Sequence, residues 1–218
     1  MRPKTYYPLF ADLAGRRCVV IGGGPIAQRK VTTLLGCGAR LTVISPTVTT
    51  RLAGYARQGR IRLAKRRFRP GDLRGAWLVY AATDDRRINA LVHREAARRR
   101  VFANIVDQTP LCSFIAPAIF RRDPLTIAVS TGGASPSLAK KVRSDLSRAL
   151  GEAYVPMLRL LRNLRGVAKQ RLPSYDDRKR YFDDLVRGRV FALIQRGRTA
   201  AARREALALL RRYAAMRN

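Results

Sequence analysis

The chain has 218 residues and a net charge of +31, with 45 Lys and Arg against 14 Asp and Glu. Apolar residues make up 47% and charged residues 27%, which excludes a disordered chain and leaves room for one domain or two small ones. No apolar run approaches the ~20 residues of a membrane span, and no apolar N-terminal segment leads to a small-residue cleavage site, so a cytoplasmic protein with no membrane partner is expected.

In chain order, residues 16–22 form an apolar strand and 25–36 a helix ending near Gly36 and Gly38. "ARLTVIS" (39–45) is a second strand closed by Pro46, and "TRLAGYARQG" (50–59) is a short helix. "IRLAKRRF" (61–68) is a third strand with alternating apolar positions, and "AWLVYAAT" (76–83) a fourth, more fully apolar. A helix follows over 85–100 with Thr83 or Asp84 as N-cap, then "VFANIVD" (101–107) as a fifth strand. Apolar strands alternating with helices predict an α/β fold with a Rossmann-type, mainly parallel sheet.

The pattern changes after Asp107. "SFIAPAIF" (113–120) and "LTIAVST" (125–131), joined by "RRDP", read as an antiparallel hairpin. The next helix takes Ser135 as N-cap and Pro136 as its first residue, with Leu138, Val142, Leu146 and Ala149 as its apolar stripe. From about 150 onward only amphipathic helical segments appear, and Ser174 followed by Asp177 fits an acidic capping box.

Gly22-x-Gly24-x-x-Ala27 lies between the first strand and its helix. In that context the first glycine makes the tight turn, the second lets the backbone approach a pyrophosphate, and the small third residue packs helix on strand. The helix N-terminus then offers unpaired N–H groups to the phosphate. The acid that often binds the ribose is missing. Ser45, Pro46 and Thr47 stand there instead, and Arg51 could favour a 2′-phosphate, so NAD and NADP both stay open. Thr83 ends the fourth strand, where it lines the ligand crevice or caps a helix. Asp107 ends the fifth, as a proton-transfer group beside a nicotinamide or as a turn residue. Ser130, Thr131, Gly132 and Ser135 precede a helix, as an anion site or an ordinary capped loop.

Cys18, Cys37 and Cys112 form no CxxC pair, and His93, the only histidine, lies on what reads as an exposed helix face. No resident metal site is expected. The positive charge is spread along the chain, with no basic tail and few aromatics among the arginines. It reads as a generally basic surface or as attraction for an anionic ligand.

With "YYPLFADLAGRRCVVIGGGPIAQRKVTTLLGCGARLTVISP", "LVYAATDD" and "NIVDQTPLCSFIAPAIFRRDPLTIAVSTGGASPSLAKKVR" in this order, the chain resembles the precorrin-2 dehydrogenase / sirohydrochlorin ferrochelatase family, the N-terminal module of siroheme synthases. The resemblance implies an NAD-binding Rossmann domain (1–112), a dimerisation segment of hairpin plus helix (113–149) and a C-terminal helical domain (150–218), assembled as a homodimer. It implies oxidation of the tetrapyrrole precorrin-2 to sirohydrochlorin with NAD, followed in many members by insertion of Fe²⁺, a substrate rather than a resident cofactor. The family's catalytic aspartate falls on Asp107, and its NAD contacts fall on Gly24, Pro25, Ile26, Pro46 and Thr47. A serine that in some relatives governs substrate binding or metal insertion is Thr131 here, beside Ser130. A tetrapyrrole with many carboxylates gives the basic surface an electrostatic reason, and no nucleic-acid partner is then expected. Two alternatives stay open: a dehydrogenase without chelatase activity, and a nucleotide-sensing module whose basic surface binds nucleic acid.

Overall fold

The structure is a computed structural model that describes residues 4–216, and the chain divides into two compact units. The first runs to Ala116 and includes Gly132–Ala134; the second holds Pro117–Thr131 and the chain from Ser135 onward.

The first unit is a five-stranded parallel sheet in the order β3-β2-β1-β4-β5. Its strands are β1 (Arg17–Ile21), β2 (Arg40–Ile44), β3 (Arg62–Ala64), β4 (Leu78–Ala81) and β5 (Phe102–Ile105). The helices between them are α1 (Pro25–Leu35), α2 (Thr50–Arg57) and α3 (Arg86–Arg99). The expected parallel α/β sheet is what forms. On one face Cys18, Val20, Val43 and Tyr80 pack against Ala27 and Val31 of α1 and Leu52 of α2. On the other, Val19, Ile21, Val79 and Ile105 pack against Val92 and Ala96 of α3. Covering both faces is why the central strands read as continuous apolar runs.

Local departures from the sequence reading have local causes. β3 is three residues long, not eight, because the Arg66 amide turns back to the Ala64 carbonyl at 2.8 Å and Phe68 leaves the sheet for the α3-side core. The N-cap of α3 is Asp85, whose carboxylate accepts from the amides of Arg87 (2.9 Å) and Ile88 (3.1 Å), one residue beyond the expected pair.

Arg66 also makes a two-pronged bond to Asp72 (2.8 and 2.7 Å), which accepts from the Arg69 amide as well (2.8 Å). The Arg66 guanidinium, with the Arg69 amide adding to it, holds the Asp72 carboxyl below its ordinary 3.8. A depressed folded value means the stabilisation is complete above about pH 4–5 and fades as pH falls through the folded value. Asp72→Asn is therefore expected to lower the Tm at pH 7 by roughly 1–4 °C. Melting curves of the two proteins should converge as pH falls through the folded value of Asp72, and a gap constant with pH would remove the ion pair as its cause.

The second unit opens with the antiparallel hairpin β6 (Ala118–Arg122) and β7 (Leu125–Val129), Ala118 pairing with Val129. The hairpin starts five residues later than expected, because Ser113 and Phe114 bond back to β5. The Ser113 amide donates to the Ala103 carbonyl (2.8 Å), and Asn104 Nδ2 donates to the Phe114 carbonyl (3.0 Å). Five helices follow: α4 (Pro136–Ala149), α5 (Tyr154–Arg171), α6 (Tyr175–Arg187), α7 (Arg189–Gln195) and α8 (Thr199–Ala215). Ser135 and Ser174 cap α4 and α6 as expected. Gly188 divides α6 from α7. Tyr181, Leu185, Ile194, Ala202 and Leu210 centre the helical core. No residue of the predicted stripe of α4 is buried within the chain: Leu138 and Leu146 are 54% and 40% exposed, and the buried residue of the helix, Ala139, lies outside the stripe. Among the described residues no helix is long and apolar enough to cross a membrane.

Candidate active site

The carboxyl ends of β1, β4 and β5 lie side by side, and the turn after β1 carries three glycines. Gly22 has φ +112°, and a Cβ there would collide with the Ala82 carbonyl oxygen beyond β4. A Cβ at Gly23 would collide with the Thr47 carbonyl oxygen and press on the Ser45 hydroxyl. The protein's own backbone therefore demands both glycines. Gly24 differs: no atom lies within 4 Å of its Cβ position. It is the N-cap of α1 and makes no side-chain cap, so the first-turn amides of α1 have no intrahelical acceptor. Pro25 at N1 and exposed Ile26 flank this open space, and buried Ala27 sets α1 onto the sheet. Space beside a helix N-terminus suits a pyrophosphate, so these residues fit a dinucleotide.

The end of β2 forms one wall. Ser45 is buried and its hydroxyl donates to the Thr47 carbonyl at 2.6 Å; Pro46 and Thr47 are exposed. Thr49 caps α2, donates to Gln28 Oε1 of α1 (2.7 Å), and its amide bonds the Gly23 carbonyl (2.9 Å), tying the wall to the turn. Arg51 donates to the Tyr55 hydroxyl at 3.0 Å. Thr83 beyond β4 is half-buried; its hydroxyl accepts from the Asp85 amide (3.2 Å), and its carbonyl accepts from Asn89 Nδ2 (3.0 Å).

Asp107 stands two residues past β5. It is exposed, its φ is +60°, and among the described residues its carboxylate has no hydrogen-bond or ion-pair partner. Its base is stiff. Cys112 Sγ donates to the Ile105 carbonyl and accepts from the Ile105 amide, both at 3.2 Å, closing the loop around a 3-10 turn at Thr109–Leu111. Lys4 Nζ ties down the Pro110 and Cys112 carbonyls (2.8 and 3.1 Å). His93 is half-buried against this loop, its Nδ1 2.9 Å from the Leu111 carbonyl, not on an exposed face as expected.

The sequence reading passed over two residues here, Gly23 and Lys30. Lys30 projects from α1 with Nζ 4.9 Å from the Tyr80 ring centroid. Burial lowers its ammonium below the ordinary lysine value, neighbouring Arg29 adds to this, and the charge of Asp107 opposes it. The available signal was a lysine on the inward stripe of α1, between Ala27 and Leu34.

The second glycine-rich stretch divides between the units. Gly132 belongs with the first, as does Gly133, whose Cβ position lies 3.4 Å from Thr109 in the turn after Asp107. Ser130, Thr131 and Ser135 belong with the second. The Thr131 hydroxyl donates to the Ser135 carbonyl and accepts from its amide, both at 3.0 Å, while Ser135 Oγ caps α4 through the Leu138 amide (3.1 Å). Among the described residues no group of three or more His, Cys, Asp or Glu could hold a metal.

A family model described as "Putative NAD(P)-binding" matches residues 9–118. A sirohaem biosynthesis central-region model matches 122–149, and a sirohaem synthase dimerisation-region model matches 153–210, beyond the segment to which the resemblance gave that role. The chain is 40% identical to siroheme synthase 1 of Serratia proteamaculans over 200 residues, 92% of this chain and 42% of that protein. It is also 40% identical to siroheme synthase of Methylobacillus flagellatus over 196 residues, 90% and 42%. It thus spans less than half the length of these relatives. A solved structure of SirC, a precorrin-2 dehydrogenase, superposes with TM-score 0.78 at 27% identity, over 95% of this chain and 100% of that one.

Proposed function

Since the chain belongs to the precorrin-2 dehydrogenase / sirohydrochlorin ferrochelatase family, the N-terminal module of siroheme synthases, we propose that it oxidises precorrin-2 to sirohydrochlorin with NAD. The observation that carries the reading is the pairing, on one sheet edge, of the open space at Gly24 with the unpartnered carboxylate of Asp107.

Removing two hydrogens from the macrocycle requires a hydride acceptor and a proton acceptor. A bound nicotinamide supplies the first. The first-turn amides of α1, with Gly24, Pro25 and Ile26, hold the pyrophosphate, and Gly22 shapes the turn. Pro46 and Thr47 border the ribose; the buried Ser45 hydroxyl and the Thr83 hydroxyl set the backbone of the two walls. Asp107 takes the proton that leaves with the hydride. Lys30 sets a cation near the carboxylates of the macrocycle. Gly132, Ser130, Thr131 and Ser135 order the loop ahead of α4 for substrate contact.

The same carboxylate serves iron insertion, in which Fe²⁺ enters as substrate and two pyrrole protons leave through Asp107. The dimerisation-region match over 153–210 supports a homodimer, and the exposed Ile119, Leu138 and Leu146, which lie outside that match, give the second unit a further apolar surface for it.

Incubating the purified chain with precorrin-2 and NAD should produce the sirohydrochlorin absorbance at a rate that vanishes without the dinucleotide. A folded protein that binds NAD yet gives no turnover overturns the reading. Adding Fe²⁺ to sirohydrochlorin should then yield siroheme faster than the uncatalysed background, and parity with that background reduces the assignment to the dehydrogenase alone.

A further inference from the structure

The wall of the dinucleotide site carries charge of one sign. Residues 40–71, which contain β2, the wall after it and α2, hold nine Lys and Arg and no Asp or Glu. In a site built for NAD alone, an acid past β2 bonds the ribose hydroxyls, and its charge also repels a phosphate placed there. Here those positions are buried Ser45, turned to the Thr47 carbonyl, and exposed Pro46 and Thr47. Nothing in this wall repels an anion.

α2 brings a cation to it. The Thr49 amide bonds the Gly23 carbonyl (2.9 Å) and the Thr49 hydroxyl bonds Gln28 of α1 (2.7 Å), which fixes the first turn of α2 against the glycine turn. Arg51 lies in that first turn and is exposed. Its Nε donates to the Tyr55 hydroxyl (3.0 Å), which leaves both terminal nitrogens for a ligand. Tyr55 is buried and its hydroxyl lies 3.4 Å from that of Thr32 on α1, so Arg51 rests on a fixed support. Arg60 also lies over the Tyr55 ring, 4.6 Å from its centre against 5.8 Å for Arg51. Two guanidinium groups thus gather at one tyrosine, and neither has a carboxylate partner among the described residues. A guanidinium fork matches phosphate oxygens two at a time. The cluster falls outside the dimerisation-region match and adjoins the turn where the pyrophosphate is placed.

We propose that Arg51 receives the 2′-phosphate of NADP, so that this chain takes NADP as well as NAD. The inference rests on the dinucleotide site proposed above at Gly24 and adds to it the choice between the two forms. The glycine turn and the first-turn amides of α1 meet the part that both dinucleotides share. The extra phosphate meets only Arg51 and the positive field of α2, with Arg60 contributing to that field.

Calorimetric titration of the full chain with NAD and with NADP tests this in the absence of any other substrate. The Kd for NADP is expected within about 10-fold of that for NAD. Arg51→Gln should weaken NADP by about 10-fold or more and leave NAD within about two-fold, its NAD binding serving as the check on folding. Arg51→Lys should retain most of the NADP affinity, and Arg51→Glu should exclude NADP while NAD still binds. Raising the salt should weaken NADP more than NAD. Native NADP binding more than about 10-fold weaker than NAD overturns the proposal. So does an equal loss of both dinucleotides in Arg51→Gln, or an NADP affinity that Arg51→Gln leaves unchanged. A native chain that binds neither overturns the dinucleotide site and the proposal together, whereas binding of NAD alone overturns only the proposal.

Discussion

Asp107→Asn is expected to lower NAD-dependent oxidation of precorrin-2 by about 10²–10⁴-fold, the span ascribed to a positioned proton-transfer group, with the Kd for NAD unchanged. Asparagine keeps the size of the side chain and tolerates the left-handed backbone at φ +60°, so the loop should stay as it is. What disappears is a carboxylate that has no hydrogen-bond or ion-pair partner among the described residues. Steady-state kinetics with a parallel NAD titration separate the two effects. Activity within a few-fold of native would place the proton elsewhere, and a matching loss of NAD affinity would make Asp107 part of the dinucleotide site. Iron insertion should fall in the same variant if one carboxylate serves both steps.

Gly22→Ala and Gly24→Val should fail in opposite ways. Alanine at 22 must adopt φ +112° and drive its methyl into the Ala82 carbonyl, so the cost falls on the fold, about 2–6 kcal/mol from strain and overpacking together. A Tm lower by roughly 5–20 °C follows. Valine at 24 meets open space on an extended backbone that any residue adopts, so the Tm should hold. Its side chain then fills the space assigned to the pyrophosphate, and NAD affinity should fall about 10-fold or more. Calorimetry and an NAD titration on both variants decide the matter. Full NAD affinity in Gly24→Val would move the dinucleotide away from this turn.

The parallel sheet was legible because its periodicity is local: strands buried on both faces write apolar runs, and helices between them write capping residues. Ser135, Pro136 and Ser174 could be placed from neighbours three or four residues away. What escaped depends on distant segments. Gly23 is demanded by Thr47, and the late start of the hairpin by Ala103 and Asn104 of β5. The stripe of α4 was read correctly as apolar, but periodicity does not say whether a face is covered within the chain, and Leu138 and Leu146 are not. At the candidate site the turn and Asp107 follow from their positions at strand ends. Lys30 could be found only by asking why a charge sits on an inward helical stripe.

The left-handed backbone at Asp107 carries a last consequence. An L-residue there costs roughly 1–2 kcal/mol that glycine would not. Heat-based selection of hardier variants would therefore drift toward glycine at 107 and discard the carboxylate. Stability and turnover pull this position in opposite directions, and a more robust enzyme should be sought by mutation elsewhere.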